Sequence, residues 1–206
     1  MKTIYFIRHT QSEANLKDIL ASRQDFPLTA KGRQEAVVIA HEFKGIAQID
    51  RIFCSPLIRA QQTAQPIAEA FGLDVETDRR LTEQDLGIFS GLTYAELDDR
   101  PDYMHERSKR WRWIPAGGGE SYEMIANRLG PFFQSLESRQ GNSILFVTHA
   151  VTLRIVRATL EQTLPDYPRG TARNGEIWKV PFTGPGNMHA VESIFLGGSK
   201  AATSRA

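Results

Sequence analysis

Three short runs of branched and aromatic residues stand out in the hydrophobic pattern of the chain. They are TIYFI (residues 3–7), RIFC (residues 51–54) and SILFVT (residues 143–148). Each run is apolar almost throughout and does not alternate with polar residues, which is typical of strands buried on both faces of a parallel sheet. We therefore expect three buried strands at these positions.

Helical patterns alternate with these runs. A helix capped by Thr29 is expected after the first run, because apolar residues recur beyond it at spacings of three and four. Residues 56–71 carry a second helical pattern. A longer amphipathic helix is expected to start near Ser121, and Gly130 and Pro131 predict a kink or a break within it.

The alternation of strands and helices predicts an α/β fold, and we expect a three-layer α/β/α sandwich with a mostly parallel central sheet. Residues 1–196 would form one domain, in which residues 176–182 and 189–195 are two strands at a sheet edge. The polar and glycine-rich segment 88–118 is interpreted as a small helical insertion over the active face, with an exposed helical hairpin as the alternative. Residues 197–206 are expected to form a flexible tail.

Composition and charge exclude several classes of function. The 206 residues include 25 basic and 24 acidic side chains, so a net charge of +1 predicts no general attraction to nucleic acid or to an anionic membrane. Cys54 stands alone and cannot form an internal disulfide, which indicates a reducing compartment. No apolar run approaches the roughly 18 residues of a membrane span. We expect a cytoplasmic protein that binds neither nucleic acid nor membranes.

Polar residues follow all three apolar runs at the point where a ligand would bind. Arg8 and His9 end the first run, His149 ends the third, and Arg59 lies one turn into the helix after the second. Ligands of open α/β sheets bind beyond the carboxyl ends of the strands, so we expect these four side chains to converge. Guanidinium groups bind phosphoryl oxygens in a bidentate manner, and a histidine held beside them could attack phosphorus.

Six segments of the chain resemble motifs of the histidine phosphatase superfamily, also called the phosphoglycerate-mutase-like family, and they occur in the same order as in that family. The similarity covers about residues 3–160, most of the chain. Its segments are FIRHTQSEAN, LTAKGRQEA, SPLIRAQQTA, LTEQDLGIFSG, GGESYEMIANR and VTHAVTLR.

The resemblance implies phosphoryl transfer through a phosphohistidine, without a metal or another cofactor. His9 matches the nucleophile of the family, and Glu83 matches the acid that protonates the leaving oxygen and then activates water. Positive groups placed around the transferring phosphoryl group would stabilise its charge. The positions that match the phosphate-binding residues of the family are Arg8, Asn15, Arg59 and His149.

The sequence also departs from the family pattern near the expected pocket. Thr10 and Ala150 stand where glycine is usual, which predicts a narrower pocket that still functions. Ser22 occupies part of a segment where many relatives carry Gln-Gly, and Arg23 beside it is a candidate substitute contact at the pocket mouth. A solvated loop arginine is the alternative for Arg23. Ser12 and Ser22 complete the expected substrate-binding set.

Three functions are compatible with these residues. The first, a phosphatase, is favoured over the second, a cofactor-dependent phosphoglycerate mutase, because such mutases carry a longer insertion and a tryptophan close to Asn15, where this chain has Ala14. The third is a non-catalytic phosphate-binding module. It would predict loss of the nucleophile, a clamp arginine or the acid, and all of these are retained.

The substrate is expected to be a small phosphorylated metabolite such as phosphoserine, a phosphoglycerate or a sugar phosphate. Asn174 could close one wall of the pocket, although the sequence assigns it no contact. A homodimer is also compatible with exposed edges and apolar insertion residues. Candidate selectors in the insertion are Tyr94, Arg110, Trp111 and Arg112.

Overall fold

Six strands form one mixed sheet in the computed structural model, which describes residues 1–168 and 170–196. In chain order they are β1 (Lys2–Arg8), β2 (Arg51–Cys54), β3 (Val75–Thr77), β4 (Ser143–Thr148), β5 (Ile177–Phe182) and β6 (Glu192–Ile194). They lie in the order β3–β2–β4–β1–β5–β6, the first four mutually parallel. Strands β5 and β6 pair antiparallel at one edge, as predicted. The expected tail at 197–206 lies outside the described residues.

Within these described residues, six α-helices accompany the sheet. They are α1 (Glu13–Leu16), α2 (Ala30–Lys44), α3 (Ile58–Phe71), α4 (Tyr94–Asp98), α5 (Tyr122–Ser138) and α6 (Ala150–Leu160). Helices α2 and α3 pack on one face of the sheet, and α5 and α6 pack on the other. This confirms the three-layer α/β/α arrangement. Across the described residues, none of the helices carries an apolar stretch long enough to cross a membrane.

Strand β1 shows why the buried strands are continuous apolar runs in the sequence. Ile4 and Phe6 face the core formed with α5 and α6, whereas Tyr5 and Ile7 face the core formed with α2 and α3. Successive side chains of a strand point to opposite faces, so a strand covered by helices on both sides needs apolar residues at every position. Each such buried side chain contributes roughly 1.5–3 kcal/mol through the hydrophobic effect.

The predicted helix ends are largely confirmed. Thr29 caps α2, and its hydroxyl oxygen accepts a hydrogen bond from the backbone N–H of Gly32 at 2.9 Å. Helix α3 ends at Gly72, whose φ of 69° is a left-handed conformation that glycine adopts without steric cost. It begins at Ile58, two residues after the expected start at Pro56.

Helix α5 corrects one expectation. Ser121 caps it as expected, but the helix continues as one element through Pro131 to Ser138. Proline removes one helical hydrogen bond, and here apolar burial on both sides of it holds the helix together. Leu129 and Phe132 are fully buried, so a break between them would expose core surface.

The segment 88–118 is not a helical hairpin but packs around a small apolar cluster that it shares with Leu20 and Leu86, and its interpretation as an insertion over the active face stays a prediction. It contains α4 and single turns of 3-10 helix at Gly87–Phe89 and Arg107–Lys109. The Phe89 and Tyr103 rings pack edge to face with centroids 5.2 Å apart. Hydrogen bonds such as Leu20 N–H to the Leu92 carbonyl at 2.8 Å join it to the loop after β1.

Candidate active site

The ends of β1 and β4 bring two histidines together. These strands are parallel neighbours, and Arg8 lies opposite Thr148 in their register. The residues that follow, His9 and His149, therefore leave the sheet side by side, with ring centroids 5.3 Å apart. This is the convergence that the strand-end pattern predicted.

His9 is held with one ring nitrogen open. Its side chain is buried, and Nδ1 lies 2.7 Å from the carbonyl oxygen of Thr10. A carbonyl oxygen can only accept, so Nδ1 carries the hydrogen and Nε2 presents its lone pair. Burial is the largest cause that lowers the pKa of His9 well below its usual 6.5, and the positive charges of Arg59 and Arg8 lower it further. The ring is therefore neutral at physiological pH, and its Nε2 lone pair is available for nucleophilic attack.

Two arginines bring positive charge to the same pocket. Arg59 projects from the first turn of α3 and donates to the carbonyl oxygens of Ser22 and Gln24 at 2.7 and 2.9 Å. Arg8 donates to the Ala172 carbonyl at 2.8 Å, and its buried Nε has no hydrogen-bond partner within the described chain. Burial lowers the pKa of both guanidinium groups, and the charge of Glu83 opposes that lowering. The site is thus suited to an anion.

His149 is fully buried and is the N-cap residue of α6. Its Nε2 lies 2.7 Å from Oγ of Ser55, whereas its buried Nδ1 has no partner among the residues described. Burial lowers the pKa of His149 well below 6.5, and the charges of Arg59 and His9 lower it further. This ring is also neutral near pH 7.

Glu83 lies against the N-terminus of α6. Its carboxylate oxygens accept hydrogen bonds from the backbone N–H groups of Val151 and Thr152 at 3.2 and 3.1 Å. Unpaired N–H groups at a helix N-terminus are favourable partners for a carboxylate. Glu83, the expected acid, is therefore held against the first turn of α6, which directly follows His149.

Asn15 is oriented by three donors. Its Oδ1 accepts from the backbone N–H and the hydroxyl of Ser12 at 3.1 and 2.9 Å, and from Nδ2 of Asn174 at 3.1 Å. The carbonyl end of the amide is thus occupied, and its Nδ2 is left to donate to a ligand. The Ser12 hydroxyl, expected to bind substrate, instead caps the short helix α1 in this structure.

Ser22 and Arg23 are directed toward the loop of the acid. The Ser22 hydroxyl donates to the Gln84 carbonyl at 2.9 Å. Arg23 donates from Nε to the Glu83 carbonyl at 3.1 Å and from Nη2 to the Glu120 carboxylate at 3.0 Å. The Arg23 side chain is thus ion-paired and not a freely solvated arginine, and its expected contact with substrate stays a prediction.

Arg23 belongs to a group that sequence reasoning did not find. The nearly buried carboxylate of Glu120 also accepts from Nε of Arg128 at 2.8 Å, and Arg128 donates to the Thr82 carbonyl at 2.7 Å. We call Arg23, Glu120 and Arg128 the acid-loop brace, because together they hold the two peptide groups that flank Glu83. Glu120 follows the glycine run directly, in a segment that the sequence marked only as a family motif.

The candidate selectors of the insertion take different positions. Tyr94 is half exposed, and its phenol is close enough to the phosphate pocket to influence the pKa of Arg8. The Arg110 guanidinium lies over two aromatic rings of the insertion. Trp111 packs against the core, and Arg112 is exposed and pairs with a glutamate of α5.

Known proteins resemble this chain in sequence and in fold. The family model described as histidine phosphatase superfamily (branch 1) matches residues 4–191. A Salmonella choleraesuis relative, called probable phosphoglycerate mutase GpmB, is 32% identical over 171 residues, covering 78% of this chain and 75% of that protein. A solved mycobacterial glucosyl-3-phosphoglycerate phosphatase, in complex with VO3, has a TM-score of 0.82 at 27% identity, covering 93% of this chain and 98% of that one. Bacillus stearothermophilus YhfR has a TM-score of 0.78 at 25% identity, over 93% and 95% of the two chains.

Proposed function

Because this chain belongs to the histidine phosphatase superfamily (branch 1), we propose that it is a phosphomonoester hydrolase that forms a phosphohistidine at His9. The observation that carries the proposal is the hydrogen bond from Nδ1 of His9 to the Thr10 carbonyl. It leaves Nε2 as the nucleophile beside the cationic groups of Arg8 and Arg59 and the neutral donors of His149 and Asn15. Those groups would compensate the negative charge of a phosphoryl group.

In the first step, Nε2 of His9 attacks phosphorus and a P–N bond forms as the P–O bond to the leaving group breaks. Glu83, carrying a proton, gives it to the departing oxygen, which leaves as an alcohol. Arg8, Arg59 and His149 donate to the three oxygens of the transferring group. By analogy with single donors in other sites, removing one arginine should lower kcat about 100- to 1,000-fold.

In the second step, water attacks the phosphorus of the phosphohistidine. Glu83 is now a carboxylate and takes one proton from that water, so inorganic phosphate leaves and Nε2 of His9 regains its lone pair. Glu83 recovers its proton for the next cycle. The charge on the phosphoryl group is balanced throughout by guanidinium groups, which do not ligate metal ions, and we propose that turnover requires no metal.

The proposed substrates are small phosphorylated metabolites such as phosphoserine, phosphoglycerates and sugar phosphates. The names of the mycobacterial phosphatase and of the Salmonella relative both contain phosphoglycerate, which places esters of glycerate first in the panel. The name of the Salmonella relative also keeps mutase activity as the second candidate. In that reaction the phosphohistidine would return its phosphoryl group to another hydroxyl of the bound glycerate.

A steady-state assay separates these functions. Phosphate release from a panel of phosphomonoesters is measured with EDTA present, and 3-phosphoglycerate with 2,3-bisphosphoglycerate is tested for isomerisation. We expect release that His9→Ala abolishes and that His41→Ala, which removes an exposed histidine of α2, leaves unchanged. Isomerisation faster than hydrolysis would favour the mutase. Binding of phosphate without turnover of any ester would favour the non-catalytic module.

A further inference from the structure

Ser55 lies where β2 ends, beside the end of β4, and is fully buried. Its backbone N–H donates to the Val147 carbonyl at 3.0 Å, which fixes its position against the neighbouring strand. From there its Oγ reaches Nε2 of His149 at 2.7 Å. The contact joins residues 94 positions apart and is a short hydrogen bond between two side chains that water does not reach.

The proton in this bond belongs to Ser55. The Ser55 Oγ accepts from the backbone N–H of Leu57 at 3.3 Å, so its own hydrogen remains to be donated, and Nε2 of His149 is the acceptor at hand. If Nε2 carried the hydrogen instead, the hydroxyl hydrogen would have no acceptor in the described part of the chain. An unsatisfied buried hydroxyl is unfavourable, so the first arrangement is preferred.

The other nitrogen of the same ring then carries the hydrogen. His149 is neutral because burial lowers its pKa, and a neutral imidazole bears one hydrogen on one of its two nitrogens. With Nε2 accepting from Ser55, that hydrogen sits on Nδ1. Nδ1 is buried beside His9 and has no hydrogen-bond partner within residues 1–168 and 170–196.

We propose that Ser55 is a positioning residue that holds His149 in the Nδ1–H tautomer, so that Nδ1 donates to an oxygen of the phosphoryl group. In the opposite tautomer Nδ1 would present a lone pair to an anionic oxygen, and attraction would become repulsion. Ser55 therefore acts on the substrate only through His149. Its effect on turnover rests on the proposed function, whereas the tautomer itself does not.

The tautomer is read directly by NMR. Protein containing histidine labelled with nitrogen-15 is measured by long-range proton–nitrogen correlation, with and without orthovanadate as the probe of the anion site. We expect His149 to be protonated at Nδ1 in both states. In Ser55→Ala we expect a mixture of tautomers without vanadate and at least tenfold weaker vanadate binding.

Two variants serve as controls for the structural effect of the change. Thr159→Ala removes a hydroxyl that bonds only within α6, to the Ile155 carbonyl at 2.8 Å, and should alter neither the tautomer nor the affinity. Ser55→Thr keeps the hydroxyl and should restore most of both. If Ser55→Ala does not fold, the spectrum of the wild-type protein still decides the tautomer.

Turnover gives a second readout. We expect Ser55→Ala to lower kcat/KM for p-nitrophenyl phosphate at least tenfold, and Thr159→Ala to leave it unchanged. An Nε2–H tautomer in the wild-type protein would overturn the proposal, as would Ser55→Ala with an unaltered spectrum and unaltered vanadate affinity. Absence of phosphatase activity in the wild type, with the expected tautomer and vanadate effects intact, would refute the proposed function alone.

Discussion

The side-chain amide of Asn174 donates a hydrogen bond to Oδ1 of Asn15 across 3.1 Å, although the two residues are 159 positions apart. The same Nδ2 lies 2.9 Å from the His9 carbonyl oxygen and 3.3 Å from that of Thr10. The Asn174 amide, near the start of β5, thus holds the backbone at His9 in place and orients the side chain of Asn15. This contact gives Asn174 the role that its sequence position did not assign.

We predict that Asn174→Ala weakens both anion binding and the fold. Asn15 would lose one of the three donors that orient its amide, and the His9 carbonyl would lose its contact with Asn174, so the affinity for orthovanadate should fall about tenfold, roughly 1.4 kcal/mol. Loss of this half-buried donor should lower the free energy of unfolding by about 1 kcal/mol. Titration with vanadate and urea unfolding measure the two effects. Asn187→Ala, at an exposed asparagine, is the control, and equal affinities in the two variants would contradict the prediction.

A second prediction concerns the acid-loop brace. Arg23→Ala should lower kcat about three- to tenfold for esters with poor leaving groups, because the loop of Glu83 loses the contacts at 3.1 and 3.0 Å. Vanadate affinity should stay within about twofold, since the phosphate pocket is untouched. Arg157→Ala removes an arginine of α6 that is paired with Glu161 and should change neither value. If Arg23 binds substrate directly, KM will instead rise for some esters of the panel while kcat holds.

A third prediction tests the close approach of α2 to the nucleophile loop. A Cβ built on Gly32 would lie 2.0 Å from the carbonyl oxygen of Gln11, so one backbone would have to move. We expect Gly32→Ala to lower the free energy of unfolding by about 3 kcal/mol. In Gly130→Ala the new Cβ meets nothing within 4 Å, and this helix position should gain roughly 0.5–1 kcal/mol. Similar urea midpoints for the two variants would refute this account of Gly32.

The sequence predicted those parts of the fold in which one local cause dominates. β1 and β4 were recognisable because burial on both faces makes them continuously apolar, and the convergence of His9 with His149 follows from their being parallel neighbours. β3 was not recognisable, since its three residues are largely exposed and are strand only through pairing with β2.

The hydrogen-bond partners of several site residues could not be predicted from the sequence pattern, for a different reason. Ser55 and Asn174 act through hydrogen bonds to residues 94 and 159 positions away, and no periodicity records such a partner. Arg23 shows the same limit, because its loop position suggested a pocket contact while its partner Glu120 lies 97 positions further along. The type of side chain determines which hydrogen bonds a residue can form, whereas the fold determines which distant residue becomes its partner.

A fourth prediction follows from the lowered pKa values of His9 and His149. Below pH 6.5 the unfolded chain protonates both rings while the folded protein still holds them neutral, so the unfolded state binds more protons and stability falls as pH decreases. The loss approaches about 1.4 kcal/mol per pH unit for each ring. Urea unfolding between about pH 7.5 and 5.5 should show this slope, and the double variant His9→Gln, His149→Gln should flatten it. The acid limb of kcat/KM should likewise lie below 6.5.

Capture of the phosphoenzyme tests the central claim most directly. p-Nitrophenyl phosphate, whose leaving group needs no acid, is mixed with the wild-type protein and with Glu83→Gln, quenched in base and mapped by peptide fragmentation. The account predicts phosphate on His9 in both proteins, more of it in Glu83→Gln because the base that activates water is gone, and none in His9→Ala. Phosphate on another residue, or turnover that persists in His9→Ala, would contradict it.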